Sequence, residues 1–178
     1  MPSPASRSPA GIGPTRGPGE IIGWASDPES EASECIRFAR RAAELGARDP
    51  LALASAGFCL LYLKIDVAVA AALIEESLSM NRSLTLAWWA SGLVQTAQGD
   101  FEGAIRCLGM ANRLSPRDPM LHMMRTSVGL ALFLSGKFAD ALLAADHSLG
   151  THPRYMPALR LKITALSQLG RMDEAKRV

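Results

Sequence analysis

Between residues 84 and 118 the apolar positions recur at spacings of three and four, break once, and resume. Leu86, Trp89, Leu93 and Ala97 form one stripe, and Trp88, Gly92 and Gln95 lie on the neighbouring face. Side chains three and four apart share one face of a helix, so the pattern predicts a helix from Leu84 to Gln98. Gly99-Asp100 interrupts it. Glycine admits the left-handed angles that end a helix, and aspartate caps the next one. Ala104, Leu108 and Ala111 then predict a second helix from Phe101 to about Leu114. Pro116 stops it, because the residue before a proline disfavours helical angles. The expected unit is a pair of antiparallel helices.

The unit recurs. From Gly99 the next equivalent glycine, Gly136, is 37 residues on, and Gly170 follows 34 residues later. Each is followed two residues on by Phe101, Phe138 or Met172, and five residues on by Ala104, Ala141 or Ala175. Gly92 recurs as Gly129, and Pro116 as Pro153. Upstream, Lys64-Ile65-Asp66 takes the place of the glycine turn, with Gly57 before it and Ala70 after it. The period predicts repeats over 50–82, 84–117 and 119–153, and a partial repeat over 155–178. Asp49-Pro50 and Asp118-Pro119 are expected to open two of them, each with Asp as cap and Pro at the first helical position. A further helix is expected over 28–46, opened by Asp27-Pro28, with Cys35, Phe38, Ala42 and Leu45 on its inner stripe and Gly46 as its stop. By position it is the second half of a repeat.

The central unit resembles the tetratricopeptide repeat, whose pattern is Trp, Leu-Gly, Tyr, Ala, Phe and Pro over about 34 residues. Trp88, Gly92, Ala104 and Pro116 match it, and Gly99, Ala111 and Leu114 stand where the family also favours their types. Ser91, Gln95 and Leu108 replace its Leu, Tyr and Phe. The resemblance implies an all-α, right-handed solenoid of antiparallel helix pairs over residues 21–178. Gly92 and Ala104 would let two helices approach closely, and Ala111 would let the next pair dock. The run GWASDP, a helix containing Arg-Arg-Ala, and GARDPLALASAG also look like the repeat tail of bacterial signalling proteins that carry a nucleotide cyclase or winged-helix domain. That likeness transfers no catalysis, since no residue of either effector domain is present here.

Composition narrows the function. Residues 1–20 are rich in Pro, Gly, Ser and Arg without an apolar run, which predicts a disordered tail and no secretory signal. A net charge of +2 is too small to argue for nucleic acid. No apolar stretch is long enough for a membrane span; the longest, about Leu51 to Leu63, carries Ser55, Gly57 and Cys59. Cys35, Cys59 and Cys107 have no metal or redox spacing and fall on helix stripes, so they read as buried thiols of a reducing, cytoplasmic compartment. His147 and His152 are five apart and do not share a helix face, which argues against a metal site. Gly11, Gly13, Gly17 and Gly19 are not framed as a phosphate loop, and no nucleophile turn exists. Neither catalytic residues nor cofactors are expected.

What remains is surface. In tetratricopeptide proteins the first helix of each pair lines a concave groove. The resemblance therefore places Phe58 and Tyr62 there from the first full repeat, and Trp89, Leu93 and Thr96 from the second. Met123, Thr126, Leu130 and Phe133 would follow from the third, and Arg160 and Thr164 from the fourth. Such a wall suits an amphipathic helix or an apolar peptide. A clamp for an acidic C-terminal tail is not expected, because its groove positions carry Trp89, Ala90, Leu93, Met123 and Ser127. The expected function is a non-catalytic scaffold for a protein or peptide partner. The alternative is the regulatory tail of a cyclase-like or transcription-regulator system. Open apolar ends would also permit a homodimer.

Overall fold

The computed structural model describes residues 28–45, 48–63 and 66–178; the side chains of Cys35, Phe38 and Ala42 are outside that description. The N-terminal tail, the Asp27 cap, Gly46 and the Lys64-Ile65 turn, all named above, also lie outside the described residues. Nine helices occur among the described residues, and no strand. They are α1 (Pro28–Leu45), α2 (Pro50–Tyr62), α3 (Val67–Met80), α4 (Thr85–Gln98), α5 (Phe101–Leu114), α6 (Leu121–Leu134), α7 (Phe138–Leu149), α8 (Met156–Gln168) and α9 (Met172–Ala175). Each helix packs chiefly on its neighbours in the chain, and α2, α4, α6 and α8 also meet one another in succession. This is an α-solenoid, whose core is a row of small clusters shared between adjacent pairs.

The turns form as the residue pattern requires. Gly99, Gly136 and Gly170 have φ of 84°, 80° and 73°, in the left-handed region where a side chain is strained. Asp49 accepts the Leu51 N–H at 2.9 Å, and Asp66 accepts those of Ala68 and Val69 at 3.0 Å. Asp100 accepts the N–H of Gly103 at 2.9 Å. Each satisfies an otherwise unpaired donor of the first helical turn.

Asp118-Pro119 behaves differently from the expected cap. The Asp118 carboxylate accepts the Met120 N–H at 2.8 Å, and its carbonyl accepts that of Leu121 at 3.0 Å. This closes a separate turn, so α6 begins at Leu121 and not at Pro119. On α1, Ala39, four residues from Cys35 and three from Ala42, is buried against Ala56, Leu60 and Ala70, and Leu45 at the helix end, expected on the inner stripe, is 70% exposed. A methyl group lets α1 lie closer to α2 than a leucine would.

Within the pairs, one contact repeats. A Cβ on Gly57 would come within 2.9 Å of the Ala70 carbonyl oxygen, one on Gly92 within 3.2 Å of that of Ala104, and one on Gly129 within 3.4 Å of that of Ala141. Each would also meet a large side chain: Ile74 at 2.7 Å, Leu108 at 2.5 Å and Leu161 at 2.6 Å. The glycine of the first helix thus faces the alanine of the second across a gap with no room for a side chain. Ala70, Ala104 and Ala141 are themselves fully buried.

A second repeated position lies seven residues beyond each alanine. It holds Ser77, Ala111 and Ser148, all with no exposed surface. Ser77 donates to the Pro50 carbonyl at 2.6 Å, and Ser148 to that of His122 at 2.8 Å. Each buried hydroxyl therefore satisfies a carbonyl at the start of the partner helix. In the middle pair, Gln95 and Ser91 instead approach the buried Cys107 thiol at 3.4 and 3.7 Å.

Overpacking follows from the glycine contacts. Gly92→Leu should destabilise the fold by about 1–3 kcal/mol or more, measured by urea unfolding. Gly109→Leu is the control, since nothing but the Arg113 side chain lies within 4 Å of its Cβ position. Equal loss in both would show that no close contact operates at Gly92.

Candidate functional site

One helix of each pair, α2, α4, α6 and α8, contributes to a concave groove of about 550 Å³. No residue of α3, α5 or α7 lines it. The register explains this. Phe58, Leu93 and Leu130 each follow a close-packed glycine, and Thr164 occupies the same place in α8. One residue turns the helix by about 100°, so a glycine face against the partner helix sets the next side chain toward the groove.

Ten of the eleven residues expected there line it together: Phe58, Tyr62, Trp89, Leu93, Met123, Thr126, Leu130, Phe133, Arg160 and Thr164. Thr96 does not; its hydroxyl turns back to the Gly92 carbonyl at 2.8 Å, satisfied within its own helix. The groove also takes in Ser127, Leu134, Tyr155, Pro157 and Leu161. Four of these extend the same three-and-four stripes on α6 and α8 and were legible in principle. Tyr155 precedes α8 in a loop, where periodicity carries no signal.

The lining side chains differ in what they offer. Phe58 and Tyr62 stack with centroids 6.1 Å apart, and Phe58 meets Trp89 at 5.0 Å. Trp89 is only 6% exposed and its indole N–H donates to the Ser127 hydroxyl at 3.0 Å. Thr126 is also buried, its hydroxyl within hydrogen-bond distance of the His122 carbonyl at 2.9 Å and the Ser148 hydroxyl at 3.0 Å. These two are chiefly packing residues on the groove floor. Tyr62, Leu130 and Leu134 are each more than 40% exposed and form the accessible apolar surface. Arg160 is the one charged side chain on the wall.

Two phenols, Tyr62 and Tyr155, line the groove. Burial raises the pKa of Tyr62 above the ordinary tyrosine value. Burial, and then the proximity of Tyr62, raises that of Tyr155. Both stay neutral at physiological pH, so the wall presents hydroxyl donors and no anion.

Among the described residues no group of three His, Cys, Asp or Glu side chains could hold a metal, and no helix is long and apolar enough to cross a membrane. His152 stacks on His122 of α6.

No protein-family profile matches the chain, and no curated protein does. Solved structures match its fold. The chain is similar to a crystal structure of MamA at 17% identity, covering 88% of this chain and 89% of that one with a TM-score of 0.67. Residues 41 to the end of MamA from Desulfovibrio magneticus RS-1 match at 17% identity and a TM-score of 0.64, covering 89% and 84%. A putative kinesin light chain from Podospora anserina with nearly identical tetratricopeptide-like repeats matches at 11% identity and a TM-score of 0.62, covering 89% and 85%. The fold is therefore an all-α solenoid of the tetratricopeptide type. These likenesses speak to the fold and lend no support to the resemblance to a cyclase or winged-helix tail.

Trp89 and Leu130 separate packing from surface. Trp89→Ala should cost about 3–5 kcal/mol of stability, and Leu130→Ala, 43% exposed, about 1 kcal/mol or less. Denaturant unfolding of both variants checks this; the reverse order would place the Trp89 ring in the open groove.

Proposed function

We propose that this chain is a non-catalytic protein-interaction scaffold whose concave groove receives an apolar helix or extended peptide. The supporting observation is the wall that includes Tyr62, Leu130 and Leu134: large, mostly apolar side chains exposed in one concavity with a single charged residue. Exposing such surface to water is unfavourable by about 25 cal/mol per Å², and a partner with matching apolar side chains removes that cost. Helix-in-groove recognition uses anchors spaced three, four and seven residues apart, which a row of parallel groove helices accommodates. The aromatic ladder from Tyr62 through Phe58 to Trp89 gives the floor a rigid edge for such an anchor.

The test uses peptides selected against the full chain from a displayed library of amphipathic helices. Leu130→Glu should weaken a selected peptide about tenfold or more, roughly 1.4 kcal/mol, with unfolding unchanged. Leu143→Glu should leave affinity intact, because Leu143 is 57% exposed on α7, away from the groove. Equal affinity in both variants, or loss in Leu143→Glu alone, rejects the groove as the binding surface.

A further inference from the structure

The groove wall is tied to a pair of histidines. The His122 ring, on the first turn of α6, stacks on His152 of the loop before α8, with centroids 3.7 Å apart and planes 21° apart. Tyr155 meets His122 edge-on at 4.8 Å and 86°. Tyr155 is also bound into the backbone on both sides. Its N–H donates to the His152 carbonyl at 3.1 Å, and its own carbonyl accepts the N–H groups of Ala158 and Leu159 at 3.1 Å, at the start of α8. Any change in the spacing of the two imidazoles therefore bears on Tyr155, which lines the groove.

Stacked imidazoles suit one task better than another. Their ring nitrogens point along nearly parallel planes and do not converge on a common point, which a metal would require. As neutral rings they attract by dispersion and offset stacking. As two imidazolium ions at this distance they repel. The His122 Nδ1 lies 3.1 Å from the Pro119 carbonyl, an acceptor only, so Nδ1 carries the proton in the neutral ring. His152 Nδ1 lies 3.3 Å from the Thr151 hydroxyl.

The side-chain bonds described for the two rings, to the Pro119 carbonyl and the Thr151 hydroxyl, bring no carboxylate to them. From the turn before α6, the Asp118 carboxylate is engaged with the Met120 N–H. On α6, Arg125 reaches to the His147 carbonyl at 3.3 Å. On α7, the Asp146 carboxylate pairs with Lys162 of α8 at 2.8 Å, and the His147 side chain is exposed. In the loop Arg154 is exposed, and Tyr62, which also lines the groove, is the titratable group that acts on Tyr155.

The geometry points to a proton-operated latch: the neutral His122–His152 stack holds Tyr155 and the start of α8 in place, and protonation of both rings parts the stack and moves that end of the groove wall. The significance for partner binding rests on the groove reading above; the motion itself does not. Burial lowers the His122 pKa below the ordinary histidine value, His152 lowers it further, and the bond to Pro119 opposes them. The direction agrees. Well above the ordinary histidine value the His122 ring is neutral in the folded and the unfolded chain alike, and the stack is fully kept. As pH falls below that value the unfolded or parted state takes up protons first, and the latch weakens until the lowered folded pKa is passed.

The chain has only two tyrosines, Tyr62 and Tyr155, and both line the groove. The full chain labelled with fluorotyrosine thus reports on the groove alone by fluorine NMR, with the Tyr155 signal assigned in Tyr62→Phe. Between about pH 7.5 and about pH 5 the Tyr155 signal should titrate with a midpoint below the ordinary histidine value. A single imidazolium has no second ring to repel, so His152→Gln should raise that midpoint and shrink the Tyr155 shift change, and His122→Gln should abolish the titration, with far-UV circular dichroism confirming the fold of each. An invariant Tyr155 signal, or one that titrates identically in His152→Gln, overturns the latch. No ligand enters the measurement, so its failure is separate from a failure of the peptide test.

Discussion

The structure depends on how closely two helices can approach. At Gly57, Gly92 and Gly129 the first helix of a pair lies against the backbone of the second, opposite Ala70, Ala104 and Ala141. That approach closes the pair, buries the alanines completely and leaves Ile74 and Leu108 folded over the glycines. It also decides where everything else points. The residue after the glycine faces the groove, the alanine of the partner faces inward, and seven residues on a small side chain lies under the next turn. A single repeated steric condition thus sets both core and concave wall.

The helix pairs were legible because their signals are local. A left-handed glycine, an aspartate cap and a three-and-four stripe each act within a few residues, and the turns at Gly99, Gly136 and Gly170 obey them. Where reading and structure part, a longer-range contact is the cause. The Asp-Pro at 118–119 has the same residues as that at 49–50, yet Pro119 falls in a turn of its own and α6 starts later. At the end of α1, Leu45 is exposed although the stripe continues to it, while Ala39 further back fits against α2.

The groove was legible to the extent that it follows the register. Its residues came from the register read through the tetratricopeptide resemblance, and of those from α4, Trp89 and Leu93 line it while Thr96 does not. Tyr155 and the His122–His152 stack left no trace in the pattern. They join a helix to a loop thirty residues away, and only the winding of the solenoid brings them together. Periodicity also cannot grade its own hits: Trp89 and Leu130 occupy similar stripe positions, yet one is the floor and the other is open to solvent.

The buried serines have a mechanical consequence. Sliding α3 along α2, or α7 along α6, by one residue would strand the hydroxyl of Ser77 or Ser148 away from its carbonyl in an interior without water. Those two hairpins are thereby keyed against axial slip. The hairpin between them has Ala111 at the equivalent place and only weak thiol contacts from Gln95 and Ser91 to Cys107. In the α4/α5 hairpin register is therefore held by the Gly92–Ala104 approach and by Leu108, without a buried hydroxyl key.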